Sequence, residues 1–287
     1  MLLLVLACVP APDSAEPVES GATAAADTAD TSGASDSGES GDSADSGDTG
    51  PTGPPRAVWV WHPPWDDPEP FADALVDGGF TTAWLADYEP DATHHALIAA
   101  LHARHVEAWA LAGDPSWVRG AAAEAHAQAI AAFNTEGEPY DGVQHDTELT
   151  SLPGFRTDPQ GLTDTFVATI DAARAAAGVP FTVATVVWLD PPLFTEIAAH
   201  VDGVALMDYR DDVARIEKDA SEELAGTTPV WLGLELMEDP EGDAVSFHEE
   251  GHDAIVAAMA AVEADEAAAP AFAGMAVHDW DAWVTTP

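Results

Sequence analysis

Eight short apolar runs, rich in β-branched and aromatic residues, alternate along the chain with longer Ala-rich stretches. Short runs of this kind are typical of buried strands, whereas apolar residues three and four apart indicate helices. The pattern predicts strands at Ala57–Trp61, Thr81–Ala86, Val106–Leu111, Gly142–Thr147, Phe181–Trp188, Gly203–Met207, Val230–Leu236 and Phe272–His278. The clearest predicted helices are Asp91–Arg104, Arg119–Asn134, Leu162–Ala177 and Glu249–Ala264.

Strands that alternate with helices favour a parallel sheet covered by helices. Eight units over about 230 residues fit a (β/α)8 TIM barrel, a fold of the α/β class in which the strands close into a ring. The main rival is an open doubly wound sheet, but no Gly-rich phosphate loop follows the first strand. Because the chain ends shortly after His278, we expect the eighth helix to be reduced or absent.

The N-terminal residues differ from the rest in composition. Residues 1–7 are almost wholly apolar and lead into Cys8, the only cysteine of the chain. Residues 9–55 are dominated by Ser, Asp, Gly, Thr and Ala, and they include neither an aromatic nor a basic residue. Such a segment buries too little apolar surface to offset its ordering entropy. We therefore divide the chain into a signal segment (1–8), a disordered acidic linker (9–55) and a barrel domain (56–287).

The run Val5-Leu6-Ala7-Cys8 resembles a bacterial lipobox, in which the cysteine is lipidated. This resemblance implies an exported protein of the cell envelope, held at a bacterial membrane surface through Cys8, and the linker would then act as a tether. A diacylglyceryl-bearing cysteine carries more than one acyl chain, which is enough for stable anchoring. The alternative is an apolar start with an incidental cysteine.

The charge of the chain narrows its possible partners. The sequence contains 52 Asp and Glu but only 8 Lys and Arg, which gives a formal net charge of −44. Such a chain repels phosphate backbones and anionic lipid headgroups, so we expect no nucleic-acid partner and membrane contact only through the lipid anchor. One cysteine permits no disulfide framework within the chain, and we expect no cofactor.

Acidic and aromatic residues gather where the predicted strands end. Functional residues of a (β/α)8 barrel lie at this end of the strands. Aromatic rings stack on the C–H faces of sugars, while carboxylates bond hydroxyls or transfer protons. We therefore expect a carbohydrate ligand, and the candidate substrate-binding residues are His62, Trp188, Asp208, Tyr209, Glu235, His278 and Trp280.

The fourth predicted strand ends in Asp141-Gly142-Val143-Gln144-His145-Asp146-Thr147-Glu148. Alternation along a strand places Gln144, Asp146 and Glu148 on one face. In a chain this acidic about nine acid pairs at this spacing arise by chance, so the position of the pair, and not its spacing, distinguishes it. Neighbouring carboxyls disfavour joint ionisation, so one of them can hold a proton and act as a general acid.

This segment resembles the Asp-Gly-x-Asp-x-Asp-x-Glu signature of the chitinase-like glycoside hydrolases of family eighteen. Met207-Asp208-Tyr209 is similar to the Met-x-Tyr-Asp motif on strand six of that family, and Leu232-Gly233-Leu234 is similar to its Leu-Gly-x stretch. The chain also resembles glycosidase-like barrels of bacterial lipoproteins. The resemblance implies that Glu148 is the proton donor. It also implies that Asp146 and Tyr209 hold the substrate's N-acetyl group, whose carbonyl oxygen attacks the anomeric carbon.

The chain departs from this family at four positions. Asp211 stands one residue late for the strand-six motif, because Arg210 intervenes. Gln144 replaces the first inner Asp, Thr147 replaces the frequent aromatic residue, and His278 aligns with the Trp at the floor of the family's site. We therefore expect a surface-anchored glycoside hydrolase that acts on a polysaccharide with Glu148 as general acid and Asp146 as its assistant. The alternative is a catalytically inactive barrel that binds glycan or a protein partner. Arg210 is expected to pair with Asp208 or Glu148, and a pair with Glu148 would oppose the acid role.

Two patterns of histidines raise the question of a metal. His248-Glu249-Glu250-Gly251-His252 matches the zinc-protease pattern His-Glu-x-x-His, but Gly251 weakens the helix that this chemistry needs. His62 and His278 end neighbouring strands of the predicted barrel and would be the basis of a metal-dependent hydrolase. Structural or substrate-bonding roles are favoured for both, so we predict no metal site.

Overall fold

Eight parallel strands form a closed barrel in the computed structural model, which describes residues 54–238 and 243–287. Each strand pairs with its neighbours in the sequence, and the first strand pairs with the last. The strands are β1 (Arg56–Val60), β2 (Thr82–Ala86), β3 (Glu107–Ala112), β4 (Gly142–His145), β5 (Phe181–Val186), β6 (Gly203–Met207), β7 (Val230–Glu235) and β8 (Phe272–His278).

Helices connect the strands and cover the outside of the barrel. They are α1 (Pro68–Asp77), α2 (His95–His102), α3 (Ala122–Phe133), α4 (Pro159–Ala177), α5 (Pro191–Ala198), α6 (Val213–Asp219), α7 (Ser221–Leu224), α8 (His252–Glu266) and α9 (Trp280–Thr285). Single 3₁₀ turns lie at Ala92–His94, Pro115–Val118, Leu149–Ser151 and Asp243–Val245. Among the described residues none of the helices is both long and apolar enough to cross a membrane.

The predicted (β/α)8 barrel is confirmed, and so is its reduced last helix. Helix α9 has only six residues, but it is well packed, because Trp283 lies 4.8 Å from Phe80 between ring centroids. The predicted strand ends were too late in two places that matter for the site. Strand β4 ends at His145 and β5 ends at Val186, so the residues that follow them lie in loops.

Tryptophan side chains fill the interior of the barrel. Trp59 on β1 lies 4.4 Å from Trp84 on β2, and Trp84 lies 6.3 Å from Trp231 on β7, measured between ring centroids. Glycines on facing strands make room for these rings, since a Cβ on Gly233 would lie 3.0 Å from the Trp59 ring. Large and small residues therefore interlock, and the barrel is a packed core and not a pore.

The predicted signal segment and almost all of the predicted linker lie outside the described residues. Pro54 and Pro55 are the last two residues of that linker and the first two that the structure describes. Arg56, the first residue of β1, forms a bidentate ion pair with Glu263 of α8, with N···O distances of 2.6 and 2.8 Å. This pair fixes the start of the barrel domain to its outer layer.

Candidate active site

The loop after β4 carries Asp146 into the open end of the barrel. The Asp146 backbone N–H donates to the Ala112 carbonyl at 3.0 Å, which extends the β3–β4 pairing by one step. Trp109 on β3 pairs with the interior Trp84, so Leu111, two residues later, also faces the barrel interior. Gln144 on β4 pairs with Leu111 and therefore faces inward too, and alternation places Asp146 on the same face. A Cβ on Gly113 would approach the Asp146 carbonyl oxygen to 1.7 Å, so only glycine fits beside this loop.

Glu148 owes its direction to a turn and not to strand alternation. Its φ of +45° is in the left-handed region, which costs a non-glycine residue about 1–2 kcal/mol. The following turn holds it there, since the backbone N–H and the hydroxyl of Ser151 both donate to the Glu148 carbonyl, at 3.0 and 2.8 Å. The Glu148 side chain is exposed and is therefore accessible to a ligand.

The pKa values of both Asp146 and Glu148 are raised above those of free carboxyls. Burial, followed by the charge of Glu148, raises the pKa of Asp146 to about 7, and His278 opposes the shift. Partial desolvation by the surrounding protein raises the pKa of Glu148 as well, although its side chain opens to solvent. The Oδ1 of Asp146 is buried without a hydrogen-bond partner among the described residues. Near neutral pH the pair can therefore hold and release a proton.

A third acidic residue, Glu235, lies across the barrel from Asp146 and Glu148, where β7 and β8 end. Glu235 accepts three hydrogen bonds, from the backbone N–H groups of Leu236 and Met237 at 2.8 and 2.7 Å, and from His278 Nδ1 at 2.8 Å. Burial alone would lower the pKa of His278, but the charges of Glu235, Asp279 and Asp146 raise it above its ordinary value. These interactions fix the position of the His278 ring.

Trp61 defines the tautomer of this histidine. Its indole N–H donates to His278 Nε2 at 2.9 Å, and an indole N–H cannot accept. This bond requires the neutral ring, in which Nε2 carries the lone pair and the Nδ1–H donates to Glu235, whereas the charges of Glu235, Asp279 and Asp146 favour the protonated ring. Uptake of a second proton by His278 would break the bond to Trp61. Both ring nitrogens are thus engaged by the protein, and His278 offers a ligand its ring face.

Two further residues complete the mouth. The Tyr209 ring follows β6 and lies 5.9 Å from the His278 ring, centroid to centroid, at an angle of 30°. Gln144, which is fully buried one step below Asp146, accepts a hydrogen bond from the Thr182 hydroxyl. The Gln144 Nε2 has no partner among residues 54–238 and 243–287. The mouth cluster, defined as Gln144, Asp146, Glu148, Tyr209, Glu235 and His278, thus contains both fixed and unpartnered polar groups.

Four predicted site residues lie elsewhere. Asp208 faces away from the barrel axis towards α6 and α7, where burial and the charge of Asp219 raise its pKa to about 8. Trp280 packs in the core, 5.3 Å from Phe71 between ring centroids. His62 is exposed and pairs with Asp281 at 2.8 Å, and Trp188 is exposed beside a separate cavity. The positions of Asp208 and Trp280 give no support to the sugar-binding roles predicted for them.

Arg210 forms its contacts away from Glu148. Arg210 Nε lies 3.2 Å from an Asp219 carboxylate oxygen, and Arg210 Nη1 donates to the Tyr209 carbonyl at 2.7 Å. The expected pair with Asp208 or Glu148 is therefore corrected to a pair with Asp219. Arg210 therefore does not pair with Glu148, and it does not oppose the acid role by lowering the pKa of that carboxyl.

The zinc-protease pattern is not built as a helix. Helix α8 begins only at His252, and Gly251 has a φ of +85°, so His248 and His252 do not share a helical face. Across the described ranges, no three His, Cys, Asp or Glu side chains are placed to hold a metal ion.

A buried polar cluster lies behind strands β2 to β4, between the sheet and α3. Asp87 Oδ2 accepts from the Tyr140 hydroxyl at 2.7 Å and lies 2.8 Å from His94 Nδ1. His126 Nε2 donates to the Asp87 carbonyl at 2.9 Å, so its Nδ1 must accept from His145 Nε2 at 3.0 Å. We call these five residues the Asp87 cluster. The sequence shows Asp87 only as an acid at a strand end, so its four partners were missed.

The sequence matches no protein-family model, and no curated protein matches it. Solved structures match in fold. A chitinase from Chromobacterium violaceum has a TM-score of 0.54 at 12% identity and covers 80% of this chain and 96% of that chain. An endo-β-N-acetylglucosaminidase from Cordyceps militaris has a TM-score of 0.51 at 13% identity, covering 81% and 86%. A fungal β-1,4-galactanase has a TM-score of 0.55 at 10% identity, covering 80% and 90%. At these identities the likeness shows the barrel fold alone.

Proposed function

We propose that this protein is a glycoside hydrolase that acts on a polysaccharide, with Glu148 as the general acid. The observation that carries the proposal is the pair of carboxyls Asp146 and Glu148 at the open end of the barrel, since burial raises the pKa values of both, that of Asp146 to about 7. Structural neighbours that include a chitinase, an endo-β-N-acetylglucosaminidase and a galactanase support it. The strained backbone of Glu148 supports it further, because such strain is concentrated at functional sites.

The roles follow from the accessibility of each group. The exposed Glu148 transfers its proton to the glycosidic oxygen as the bond from that oxygen to the anomeric carbon breaks. Water then supplies the hydroxyl group that the anomeric carbon gains, and its remaining proton restores the acid. Asp146, which is deeper and has an unpartnered oxygen, orients a polar group of the sugar bound at the cleaved bond. Tyr209 and the face of the His278 ring form the wall against which that sugar packs.

The test is hydrolysis of a panel of aryl glycosides and polysaccharides by the parent protein, by Glu148→Gln and by Asp146→Asn. Glu89→Gln is the matched control, since Glu89 is also exposed and also follows a strand at the same end of the barrel. We expect Glu148→Gln and Asp146→Asn to lose turnover and the control to keep it. Equal rates for the parent and Glu148→Gln would exclude Glu148 as the acid.

A second candidate function is glycan binding without catalysis. It is favoured by Gln144, an amide at the position where the similar family has a carboxyl, which is buried and bonded to Thr182. Under this alternative neither the parent protein nor Glu148→Gln hydrolyses any member of the panel, while both bind a polysaccharide with equal affinity. Hydrolysis of any member of the panel by the parent protein rejects this alternative.

We further propose that the protein is exported and anchored at the cell envelope through lipid on Cys8, with the linker as a spacer. The support comes from the sequence of residues 1–55. Mass spectrometry of the N-terminal peptide from membranes of expressing bacteria tests this proposal. We expect a diacylglyceryl cysteine in the parent protein and release of Cys8→Ser from the membrane, and an unmodified Cys8 would contradict it.

A further inference from the structure

A cavity of about 500 Å³ lies between the loop after β5, the end of α6 and the start of α7. Trp188 lies on its wall and is 46% exposed, which is unusual for a tryptophan in this protein. An exposed ring of this size offers a flat apolar face at low conformational cost, as a sugar platform requires. Nothing in the mouth mechanism uses this cavity.

The charges that line the cavity are mostly negative. Asp190, Glu222 and Glu223 lie on its wall, together with Asp219, which is already paired with Arg210 and Arg215. The one opposing charge on the wall is that of Lys218, the only lysine of the chain. The cavity therefore attracts a cation and repels a sugar that carries a carboxylate or a sulfate.

Glu223 is an independent sign of a ligand. This side chain is only 5% exposed, and its Oε2 has no hydrogen-bond partner among the described residues. A buried carboxylate oxygen without a partner costs free energy that a donor from a ligand would recover. Glu223 lines this cavity and also the adjoining groove along α5, so a ligand in the cavity lies against it.

The position of the cavity relates it to the mouth cluster. Strand β5 pairs with β4, whose loop carries Glu148, and with β6, whose loop carries Tyr209. Trp188 belongs to the loop that lies between these two. A polysaccharide bound at Glu148 can therefore extend over this rim into the cavity.

We propose that the Trp188 cavity binds a sugar unit that carries a protonated amine, as in a polysaccharide of glucosamine. The ring of Trp188 stacks on the sugar, and Asp190, Glu222 and Glu223 accept from its ammonium and hydroxyl groups. The cavity is a second binding site of the barrel. Binding in the cavity does not depend on the proposed hydrolase function. Occupation of the mouth by the same polysaccharide rests on that function.

The test measures binding without turnover, so that its failure differs from a failure of catalysis. Calorimetric titration of Glu148→Gln at pH 6 uses two probes, the glucosamine hexamer and the N-acetylglucosamine hexamer. We expect the cationic hexamer to bind more tightly. We expect Trp188→Ala in the same background to weaken the binding of both hexamers by about tenfold.

Charge variants separate this cavity from the general attraction of an acidic protein. Asp190 and Glu222 are exposed and make no side-chain hydrogen bond among the described residues, so the pair Asp190→Asn and Glu222→Gln leaves the fold intact. This pair should weaken the binding of the cationic hexamer about fivefold and leave the acetylated one within twofold. The control pair Asp77→Asn and Glu136→Gln replaces acids that are also exposed and also make no side-chain hydrogen bond within the described ranges, and it should have no effect.

Four results would overturn the inference. The first three are equal affinity for the two hexamers, affinity that Trp188→Ala does not change, and no binding of either hexamer. An equal loss of affinity in the charge pair and the control pair would also overturn it, because the attraction would then be general. Each of these results can occur whether or not the parent protein hydrolyses a glycan.

Discussion

The mouth cluster and the Asp87 cluster are both polar and contain buried groups, but they differ in how completely the hydrogen bonds of those groups are formed. In the Asp87 cluster the carboxylate bonds Tyr140 and His94, and His126 links the Asp87 carbonyl to His145. In the mouth cluster the Asp146 Oδ1 and the Gln144 Nε2 have no partner within the described part of the chain. The two clusters lie on opposite faces of the same strand, β4.

This difference separates a structural role from a chemical one. A satisfied polar network stabilises one arrangement of a core, and its members have nothing left to offer a ligand. Unpartnered buried groups cost stability, and proteins keep them where a ligand or a reaction uses them. Within the mouth cluster, Glu235 and His278 form complete hydrogen bonds, so we expect them to fix the wall of the site, whereas Asp146 and Glu148 carry the proposed chemistry.

The largest expected effect is the loss of activity without a loss of stability at Glu148. We expect Glu148→Gln to lower kcat by about 10²–10⁴-fold, which is typical for removal of a general acid. Its free energy of unfolding should change by less than about 0.5 kcal/mol, because the side chain is exposed. Urea unfolding beside the kinetic assay checks both. A large loss of stability would place Glu148 with the structural residues.

The opposite behaviour is expected at Asp87. Asp87→Ala leaves the Tyr140 hydroxyl and His94 without their acceptor in a buried site, so the free energy of unfolding should fall by about 3 kcal/mol. The exposed neighbour Glu89→Ala serves as control and should stay within about 0.5 kcal/mol. Urea unfolding of both variants measures the difference. Equal stabilities would end the distinction between the clusters.

A buried acid outside both clusters sharpens the comparison through pH. Burial raises the pKa of Asp208 to about 8 in the folded state, so the folded protein holds this proton more tightly than the unfolded chain. Its contribution to stability is greatest below about pH 4 and is lost as the pH rises through about 8. Asp208→Asn should therefore stabilise the protein by on the order of 2 kcal/mol at pH 9 and hardly at pH 4. A stability difference between Asp208→Asn and the parent protein that is the same at pH 4 and at pH 9 would contradict this prediction.

The smallest effect is a lowered titration pH of two histidines in the Asp87 cluster. Burial lowers the pKa values of His126 and His145, and the hydrogen-bond chain needs both rings neutral with protons on Nε2. Imidazole NMR between pH 8 and pH 5 should show both rings protonating at a lower pH than an ordinary histidine, whose pKa is about 6.5. His102 is the internal control. Its bonds to Asp141 and Glu138 raise its pKa to about 9 despite burial, so it should be protonated over the same range.

The barrel could be predicted from the sequence because its signals are repeated and local. Apolar runs and Ala-rich stretches recur eight times, and β6 and β8 were predicted with the bounds that the structure gives them. The placement of Asp146 also followed from alternation, because the β3–β4 pairing continues to it. The reduced last helix followed from the few residues after β8.

The details of the site depend on contacts between residues distant in sequence. Trp61 was predicted as the last residue of the first strand, yet it lies one residue past β1 and its indole N–H donates to His278, which is 217 positions later. Glu148 was placed by alternation, but β4 ends earlier and a left-handed residue directs it. Asp208 was assigned to the mouth from a motif, whereas strand parity directs it towards α6 and α7. No local pattern contains these facts.

The proposed site depends most directly on Asp146, which holds a proton near neutral pH because it is buried beside the charge of Glu148. Carboxyl-carbon NMR titration tests it without knowledge of the substrate, with the Asp146 signal assigned by its absence in Asp146→Asn. We predict that Asp146 titrates near pH 7 in the parent protein and at a lower pH in Glu148→Gln, where the neighbouring charge is gone. An Asp146 that titrates near its ordinary value of about 4, or that ignores Glu148→Gln, would contradict the account.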